Sequence, residues 1–259
     1  MNKIILLFGA ILALCNSAAI YKKINNKCAL GDDDCHLQLY RGIAQEVSDN
    51  GIPEYGIPKV DPYEVKDLEI TALGMIKITM KDGAIAGFKA CKANKFTTDV
   101  KTLHTSIELA CDVFSYEGHY KAESTPTLLA LLGGIQIHGE GKAKVSVENL
   151  KLTLEFPFEV RKLDDGELHF KLISDDATSS FEVLGKMNID ADGIFIGKQD
   201  VSTVAVNIFN ENWQFITKTL GSTIIDGALQ IFYKHVTQFF DAVPAKDLIS
   251  DDLSSFVKN

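Results

Sequence analysis

The sequence predicts an α+β protein in which a highly curved antiparallel β-sheet wraps around one long C-terminal helix. Apolar and polar residues alternate through much of region 68–206, which is the period of half-buried strands. From about Asn207 to Phe240 the apolar spacing changes to three and four residues, which is the period of a helix. A long apolar sheet face needs a cover, and this helix supplies one.

The N-terminus has the pattern of a secretory signal peptide. Met1-Asn2-Lys3 precedes an apolar run from Ile4 to Leu14, and small residues follow at 17–19. A run of roughly a dozen residues is shorter than the ~20 that cross a bilayer. We therefore interpret residues 1–18 as a signal peptide and residues 19–259 as a single domain, and we expect a secreted, extracellular protein.

The cysteines left after this cleavage predict disulfide bonds. An even number of them in an oxidising compartment favours two bridges. Three pairings are possible, and the most local one joins Cys28 to Cys35 and Cys91 to Cys111. Because no C-x-x-C pair occurs and no histidine stands at ligand spacing from a cysteine, we predict no metal site and no cofactor.

Segment Ala29–Asp49 is predicted to form a short amphipathic helix, since apolar residues including Leu39, Ile43 and Val47 recur near helical spacing. Asp32-Asp33-Asp34 lacks the spacing of a calcium loop, so we interpret it as a solvated turn. The next stretch, Gly51–Pro62, holds three prolines and is predicted to be an extended connector.

The strands of the predicted sheet follow this connector. Alternation is clearest in Leu68/Ile70/Ala72, Ile76/Ile78/Met80, Ile107/Leu109/Cys111/Val113, Ala143/Val145/Val147 and Leu150/Leu152/Leu154/Phe156. Residues that tolerate a positive φ predict turns at Lys81-Asp82-Gly83, Gly133-Gly134, Asp164-Asp165-Gly166 and Asp190-Ala191-Asp192-Gly193. Antiparallel hairpins are expected.

The predicted C-terminal helix has Asn207 or Asn210 as its N-cap and ends before Pro244. Apolar residues occupy most of its circumference, so most of its surface must be buried. A sheet rolled around such a helix need not be filled completely by side chains. We therefore expect space between sheet and helix for an apolar ligand.

The composition indicates which partners to expect. The formal net charge is −9 and 46% of the residues are hydrophobic. An acidic surface repels nucleic acid and anionic membranes. No stretch after the N-terminus is long and uncharged enough to cross a bilayer. We expect a soluble monomer with no nucleic-acid partner and no stable membrane insertion.

Local motifs give no support to an enzyme. The sequence lacks G-x-S-x-G, H-E-x-x-H and G-x-x-x-x-G-K-[ST]. Gly139 and Gly141 begin a G-x-G, but Lys144 occupies the position of the third glycine, so we interpret them as a bend in a strand. No histidines pair at metal or triad spacing, and spacing does not test a triad that assembles only in the fold. We predict a protein that is not an enzyme.

Several segments occur in a characteristic order along nearly the whole chain. They are Cys28 and Cys35 with six residues between them, Gly51–Pro58 leading to Asp61-Pro62, Gly118-His119-Tyr120, Ile135–Ala143, Asn210-Glu211-Asn212-Trp213 and Phe239–Pro244. Together they resemble the insect takeout / juvenile-hormone-binding family of the tubular lipid-binding superfamily. The resemblance implies secretion, no catalysis, and a long helix wrapped by a curved sheet around a hydrophobic tunnel.

This resemblance implies a carrier of a small lipophilic ligand of terpenoid, juvenile-hormone-like, fatty-acid-like or isoprenoid type. We expect tunnel-lining side chains at Tyr40, Ile43, Phe88, Tyr120, Phe156, Phe158, Phe170, Trp213, Ile216, Leu220, Ile224, Ile231, Phe232, Tyr233 and His235. Among them Tyr40, Tyr120, Tyr233 and His235 are the candidates to meet the ligand's oxygen. The alternative is a membrane-lipid-binding transfer or defence protein of the same fold, which the acidic charge disfavours.

Overall fold

The structure is a computed structural model that describes residues 27–257, and the predicted signal peptide lies outside these residues. The strands are β1 (Tyr63–Ala72), β2 (Ile76–Ala86), β3 (Cys91–Asp99), β4 (His104–Ser124), β5 (Ile137–Lys162), β6 (Leu168–Leu172), β7 (Thr178–Val183), β8 (Met187–Ala191), β9 (Ile194–Ile196) and β10 (Gln199–Asp200). The helices are α1 (Asp33–Asp49), α2 (Pro126–Leu131), α3 (Ser202–Glu211), α4 (Trp213–Ala242) and α5 (Ala245–Leu248).

The described strands form one antiparallel sheet built around two unusually long strands. Its order is β1-β2-β4-β5-β9-β10, while β3 pairs with β4, and β6, β7 and β8 pair with β5. Strand β4 has 21 residues and β5 has 26, so successive short strands pair along different parts of β5. The antiparallel sheet and the 30-residue helix α4 confirm the predicted α+β class. Within residues 27–257 no helix combines the length and apolar character needed to cross a membrane.

The C-terminal helix differs from the prediction at its start. Two helices, α3 and α4, occupy this region, and they meet at Asn212, whose φ of −113° and ψ of 23° interrupt the helix. Neither predicted N-cap has that role. The Asn210 side chain instead bonds the backbone N and O of Ile189, each at 2.8 Å, and so ties α3 to β8. The end of α4 before Pro244 is confirmed.

Other boundaries also differ. The strand region was predicted to extend to residue 206, but it ends at Asp200, and residues 202–206 belong to α3. The turn expected at 81–83 is wrong: these residues lie within β2, where the register shifts between Met80 and Asp82. The connector is not fully extended, since Pro53–Tyr55 forms a 3-10 turn, and helix α2 was not predicted. The other three predicted turns do separate elements.

Both disulfides follow the most local pairing. Cys28 is bonded to Cys35 at the start of α1, and Cys91 to Cys111. The second pair lies directly across the β3–β4 ladder, with the two Cα atoms 4.0 Å apart. Closing a loop of this size contributes about 3 kcal/mol to stability in the chain-entropy account. The bridge therefore fixes the register of β3 on β4.

The two terminal segments of the described chain close one end of the fold together. The Cys28 N–H donates to the Leu248 carbonyl at 2.9 Å, and the Ser250 N–H donates to the Cys28 carbonyl at 2.9 Å. Leu30, Ala245 and other buried apolar residues pack in a cluster beneath this contact. The end of the sheet beside α1 is thus packed by side chains of the protein itself.

Gly118 of β4 lies opposite Gly83 of β2 and against the β2 backbone. A Cβ at this position would lie 2.1 Å from the Asp82 carbonyl oxygen and 2.5 Å from the Gly83 Cα. The Tyr116 hydroxyl oxygen lies 3.1 Å from the carbonyl oxygens of both Asp82 and His119, which share its one proton. The neighbouring atoms are backbone atoms of the sheet, so they cannot yield by a side-chain rotation.

We expect Gly118→Ala to lower the free energy of unfolding by about 2 kcal/mol or more, because the added methyl group overlaps the backbone of β2. The matched control is Gly42→Ala in α1, where an added Cβ meets nothing within 4 Å. That change should raise stability by up to about 1 kcal/mol through helix propensity. Chemical denaturation measures both, and equal effects of the two substitutions would show that this strand contact is not strained by a methyl group.

Candidate ligand cavity

An apolar cavity of about 360 Å³ lies between the inner face of the sheet, the C-terminal half of α4 and helix α1. This volume falls in the range typical of small-molecule sites in proteins, about 300 to 1,000 Å³. Its side chains come from elements far apart in sequence. Those contributed by the sheet are Phe96, Thr98, Thr105, Ile107, Leu109, Leu150, Leu152, Leu154, Phe156, Phe158 and Phe170, together with Tyr63, Cys91, Cys111 and Phe114.

The sheet wall of the cavity follows from the register of β4 on β5. Ile107 lies opposite Leu154, and Leu109 lies opposite Leu152. Residues two apart on a strand share one face, so these pairs project to the same side. Alternation along both strands thus gives a continuous apolar wall.

Helix α1 forms another wall and is held against β3 by polar contacts at its start and at its middle. The Asp32 side chain accepts from the Cys35 N–H at 3.0 Å and caps the helix. Asp33 accepts from the Thr98 N–H at 2.9 Å, and the Arg41 guanidinium donates twice to the Ala93 carbonyl, at 2.6 and 3.0 Å. The acidic triplet expected as a solvated turn therefore caps and docks this helix.

Many of the residues expected to line a tunnel do border this cavity. They are Tyr40, Ile43, Phe88, Phe156, Phe158, Phe170, Ile231, Phe232 and His235. They share an inward position on α1, on β5 and β6, or on the C-terminal half of α4, apart from Phe88 in the 3-10 turn before β3. Their contact with a ligand stays a prediction.

The remaining expected residues lie elsewhere, and they are Tyr120, Trp213, Ile216, Leu220, Ile224 and Tyr233. The cavity begins near Ile225, and one turn earlier a Cβ on Gly221 would lie 2.3 Å from the Phe181 ring. Sheet and helix therefore touch directly at Gly221. The part of α4 that precedes this contact does not border the cavity. Ile224 faces outward and is exposed.

The two tyrosines outside the cavity have other partners. The Tyr120 hydroxyl donates to the Asp192 carbonyl at 2.8 Å, and Gly139 gives this ring its space, since a Cβ there would lie 2.7 Å from the hydroxyl. Tyr233 lines a separate, more polar pocket with Asp175, Asp226 and Gln230. Burial, and then Asp226, raise the pKa of Tyr233.

Most of the lining that the prediction missed comes from α1 and from the sheet. Alternation in the sequence predicts the inward residues of β4 and β5 as strand positions, but it does not distinguish those that border the cavity. His36, Leu39, Ala44, Val47 and Ser48 of α1 also border the cavity. Only the packing of α1 on β3, which the sequence does not encode locally, brings them there.

His36 is the most unusual polar group of the lining. Its side chain is 7% exposed, and neither ring nitrogen has a hydrogen-bond partner among the described residues. The ring packs edge-on against Phe96, with centroids 5.4 Å apart. His169 is also buried but has partners for both nitrogens, the Phe240 carbonyl at 2.9 Å and Asp165 at 3.1 Å. An unpaired buried imidazole is costly, so this position is not explained by packing alone.

Tyr40 lies one helical turn after His36 and also packs on Phe96, with centroids 6.4 Å apart. Its hydroxyl makes no hydrogen bond within the described part of the chain. Burial raises the pKa of Tyr40 to about 12. The phenol is therefore neutral and able both to donate and to accept.

His235 on α4 is partly satisfied. Its Nδ1 lies 2.8 Å from Gln238 Oε1, its Nε2 is buried without a partner in the described residues, and its ring packs edge-on against Tyr63 at 5.9 Å. The expectation that His235 faces the ligand space agrees with its place in the lining. It occupies the α4 wall, whereas His36 occupies the α1 wall.

The burial of His36 predicts a pH dependence of stability. Burial lowers the pKa of His36 below its ordinary value of 6.5, against the opposing influence of Asp33, Asp32 and Asp251. The unfolded chain therefore binds a proton at this residue at a pH where the folded protein does not. Stability must fall as the pH drops through about 6.5.

We expect the free energy of unfolding to decrease between about pH 7.5 and about pH 5.5, and His36→Phe to reduce that decrease. Denaturant titrations at both pH values measure the slope. Some carboxyl groups, such as those of Asp82 and Asp99, have a pKa below the ordinary 3.8. Their protonation lowers stability only below about that pH, so it does not contribute to the change measured here. Identical slopes for the two proteins would contradict the burial of a neutral imidazole.

Comparison with known proteins agrees with this architecture. The crystal structure of Epiphyas postvittana Takeout 1 matches with a TM-score of 0.72 and 21% sequence identity, over 87% of this chain and 99% of that chain. At this identity the likeness establishes the fold. A search of curated proteins found no match to the chain.

The sequence itself matches the family model described as haemolymph juvenile hormone binding protein over residues 5–250. The match includes the first helix, the sheet and the whole of α4, which together enclose the cavity. The predicted likeness to takeout and juvenile-hormone-binding proteins is thereby confirmed. The chain belongs to the haemolymph juvenile hormone binding protein family.

Proposed function

We propose that this protein is a secreted carrier that buries a small hydrophobic ligand reversibly in the cavity and catalyses no reaction. Residues 1–18 are removed on secretion, and residues 19–259 form one ligand-binding domain. Terpenoid, juvenile-hormone-like, isoprenoid and fatty-acid-like molecules are the ligand classes considered. The family assignment and the two disulfides support this proposal.

The observation that carries the proposal is the cavity of about 360 Å³ with an almost wholly apolar lining. Each methylene group moved from water into such a space contributes about 0.8 kcal/mol. A ten-carbon chain thus offers on the order of 8 kcal/mol before the entropic cost of binding. Micromolar affinity is reached at about that value without covalent chemistry.

Under this proposal, α1 is the element that moves to let a ligand enter the cavity. The helix covers the space with Leu39, Tyr40 and Ile43, and it is tied to the body by the Cys28–Cys35 region and the Arg41 contact. These contacts lie at the start and the middle of the helix, and Lys89 bonds Asp49 at its end. A displacement of α1 from β3 opens the cavity without disturbing the β4–β5 ladder.

Filling the cavity should abolish binding while the fold remains. Ala228 of α4 lines the space, so Ala228→Phe places a ring where the ligand would lie. We expect at least a tenfold loss of affinity for an uncharged naphthylamine fluorophore, with a melting temperature no lower than that of the wild type, since the ring occupies empty volume.

The matched control is Ser222→Phe, which adds the same bulk at an exposed position of the same helix. It should bind the fluorophore like the wild type. Organic extraction of the purified wild-type protein, followed by mass spectrometry, then identifies any lipid that it carries. Unchanged fluorophore binding by Ala228→Phe would show that the probe binds somewhere else.

A second candidate function, lipid transfer at a membrane surface, is favoured by one observation. Three neighbouring turns at one end of the sheet expose large apolar side chains, including Leu131 at 68%, Ile135 at 53% and Leu73 at 56%. The turns are linked, since the Thr125 N–H donates to the Met75 carbonyl and the Gly197 N–H to the Gln136 carbonyl, each at 2.8 Å. Side chains projecting from adjacent turns can enter a lipid interface.

Under this second function the protein should sediment with neutral phosphatidylcholine vesicles, because its acidic charge opposes binding to anionic ones. Leu131→Ser should weaken sedimentation at least threefold through lost apolar contact. Val113→Ser is the matched control, because Val113 is exposed on β4, away from these turns. Equal sedimentation of the two variants, or none for the wild type, would count against a membrane role.

A further inference from the structure

The polar groups of the cavity are unevenly arranged. His36, Tyr40, Thr98 and Thr105 gather around Phe96, where α1 meets β3. Thr98 and Thr105 face each other across the β3–β4 ladder, and Thr105 is buried. On the α4 wall, His235 is bonded to Gln238 and packs against Tyr63. One end of the cavity is therefore equipped for hydrogen bonding.

These groups have hydrogen-bonding capacity that the protein does not use. Both nitrogens of His36 lack partners in the described residues, and the Tyr40 hydroxyl makes no bond within them. A neutral imidazole offers one donor and one acceptor, and a phenol offers the same. Buried polar groups are ordinarily paired, so this unused capacity is available to a molecule that enters the cavity.

The charge of the lining limits what can enter. None of its described members is a lysine, arginine, aspartate or glutamate. The nearest cationic side chain on α1, Arg41, is exposed and directs two donors to the Ala93 carbonyl. The charges around His36 are the carboxylates of Asp32, Asp33 and Asp251. An ionised carboxylate placed here would be desolvated without a counter-ion, which is strongly unfavourable.

We propose that Tyr40 and His36 form the polar end of the cavity and select ligands whose head is a single uncharged oxygen group, such as an alcohol, ketone or ester, over ligands with an ionised carboxylate. This inference rests on the proposed carrier function and narrows its ligand class. The head group lies beside Phe96, and the hydrocarbon chain extends between the β4–β5 wall and α4. Hydrogen bonding supplies selectivity, and apolar contact supplies affinity.

A series of matched twelve-carbon ligands tests this directly. Dodecane, dodecanol, methyl dodecanoate and sodium dodecanoate are compared as competitors of an uncharged naphthylamine fluorophore bound to the purified protein at about pH 7.5, where the free acid is ionised. We expect dodecanol and the methyl ester to bind at least tenfold more tightly than dodecanoate. The wild-type series is informative by itself and needs no variant.

Variants then assign the preference to residues. Tyr40→Phe and His36→Phe keep an aromatic ring against Phe96, and each should reduce the affinity for dodecanol relative to dodecane by about threefold to tenfold. Tyr116→Phe is the matched control. It removes a phenol hydroxyl that bonds backbone carbonyls outside the cavity, so it should leave this ratio unchanged whatever it does to stability.

The outcomes separate this inference from the carrier function. Dodecanoate binding as tightly as dodecanol, or an unchanged dodecanol-to-dodecane ratio in both α1 variants, overturns the polar-end assignment while the carrier function stands. Failure of every member of the series, and of the fluorophore itself, to bind overturns the carrier function and the inference with it.

Discussion

The apolar faces of the sheet and of α4 meet around a volume that their own side chains do not fill, and the rest of the structure depends on this incomplete packing. An empty apolar cavity costs about 24 cal/mol per Å³, so 360 Å³ left vacant corresponds to several kcal/mol of stability. That is a large share of the roughly 5 to 15 kcal/mol available to a folded protein. A ligand that fills this space stabilises the fold as it binds.

Rigid contacts on several sides keep the cavity from collapsing. Phe181 touches α4 at Gly221, the Cys91–Cys111 bridge fixes β3 on β4, and the paired terminal segments close the end near Cys28. The Phe181–Gly221 contact sets a separation between sheet and helix that the lining cannot reduce. The polar end then lies on α1, where this helix packs against Phe96 of β3.

The fold could be predicted because its main signals are local. Alternation marked the strands, helical spacing marked α1 and α4, and the short sequence separations of the cysteines indicated both bridges. The break at Asn212 is not apparent from apolar spacing, and beside it Asn210 bonds Ile189 of β8, a tertiary contact. The strand character of Asp82-Gly83 was missed for a similar reason, since a register shift in the β2–β4 ladder absorbs the turn-like residues.

The candidate site could be predicted only in part. Apolar periodicity identifies inward positions, and two residues that it indicates, Phe156 and Ile231, border the cavity. It does not say where along α4 the space begins, which is decided by the contact between Phe181 and Gly221. The importance of His36 was also missed, because an isolated histidine in a sequence gives no sign that its partners are absent in the fold.

The most direct test of the central claim is a crystal structure of the protein with ω-bromododecanol, in which anomalous scattering locates the bromine. We expect one strong peak inside the cavity between the β4–β5 wall and α4, with the hydroxyl beside Tyr40 and His36. A peak only at the surface, together with an interior filled by side chains, would contradict the existence of a ligand space in this fold.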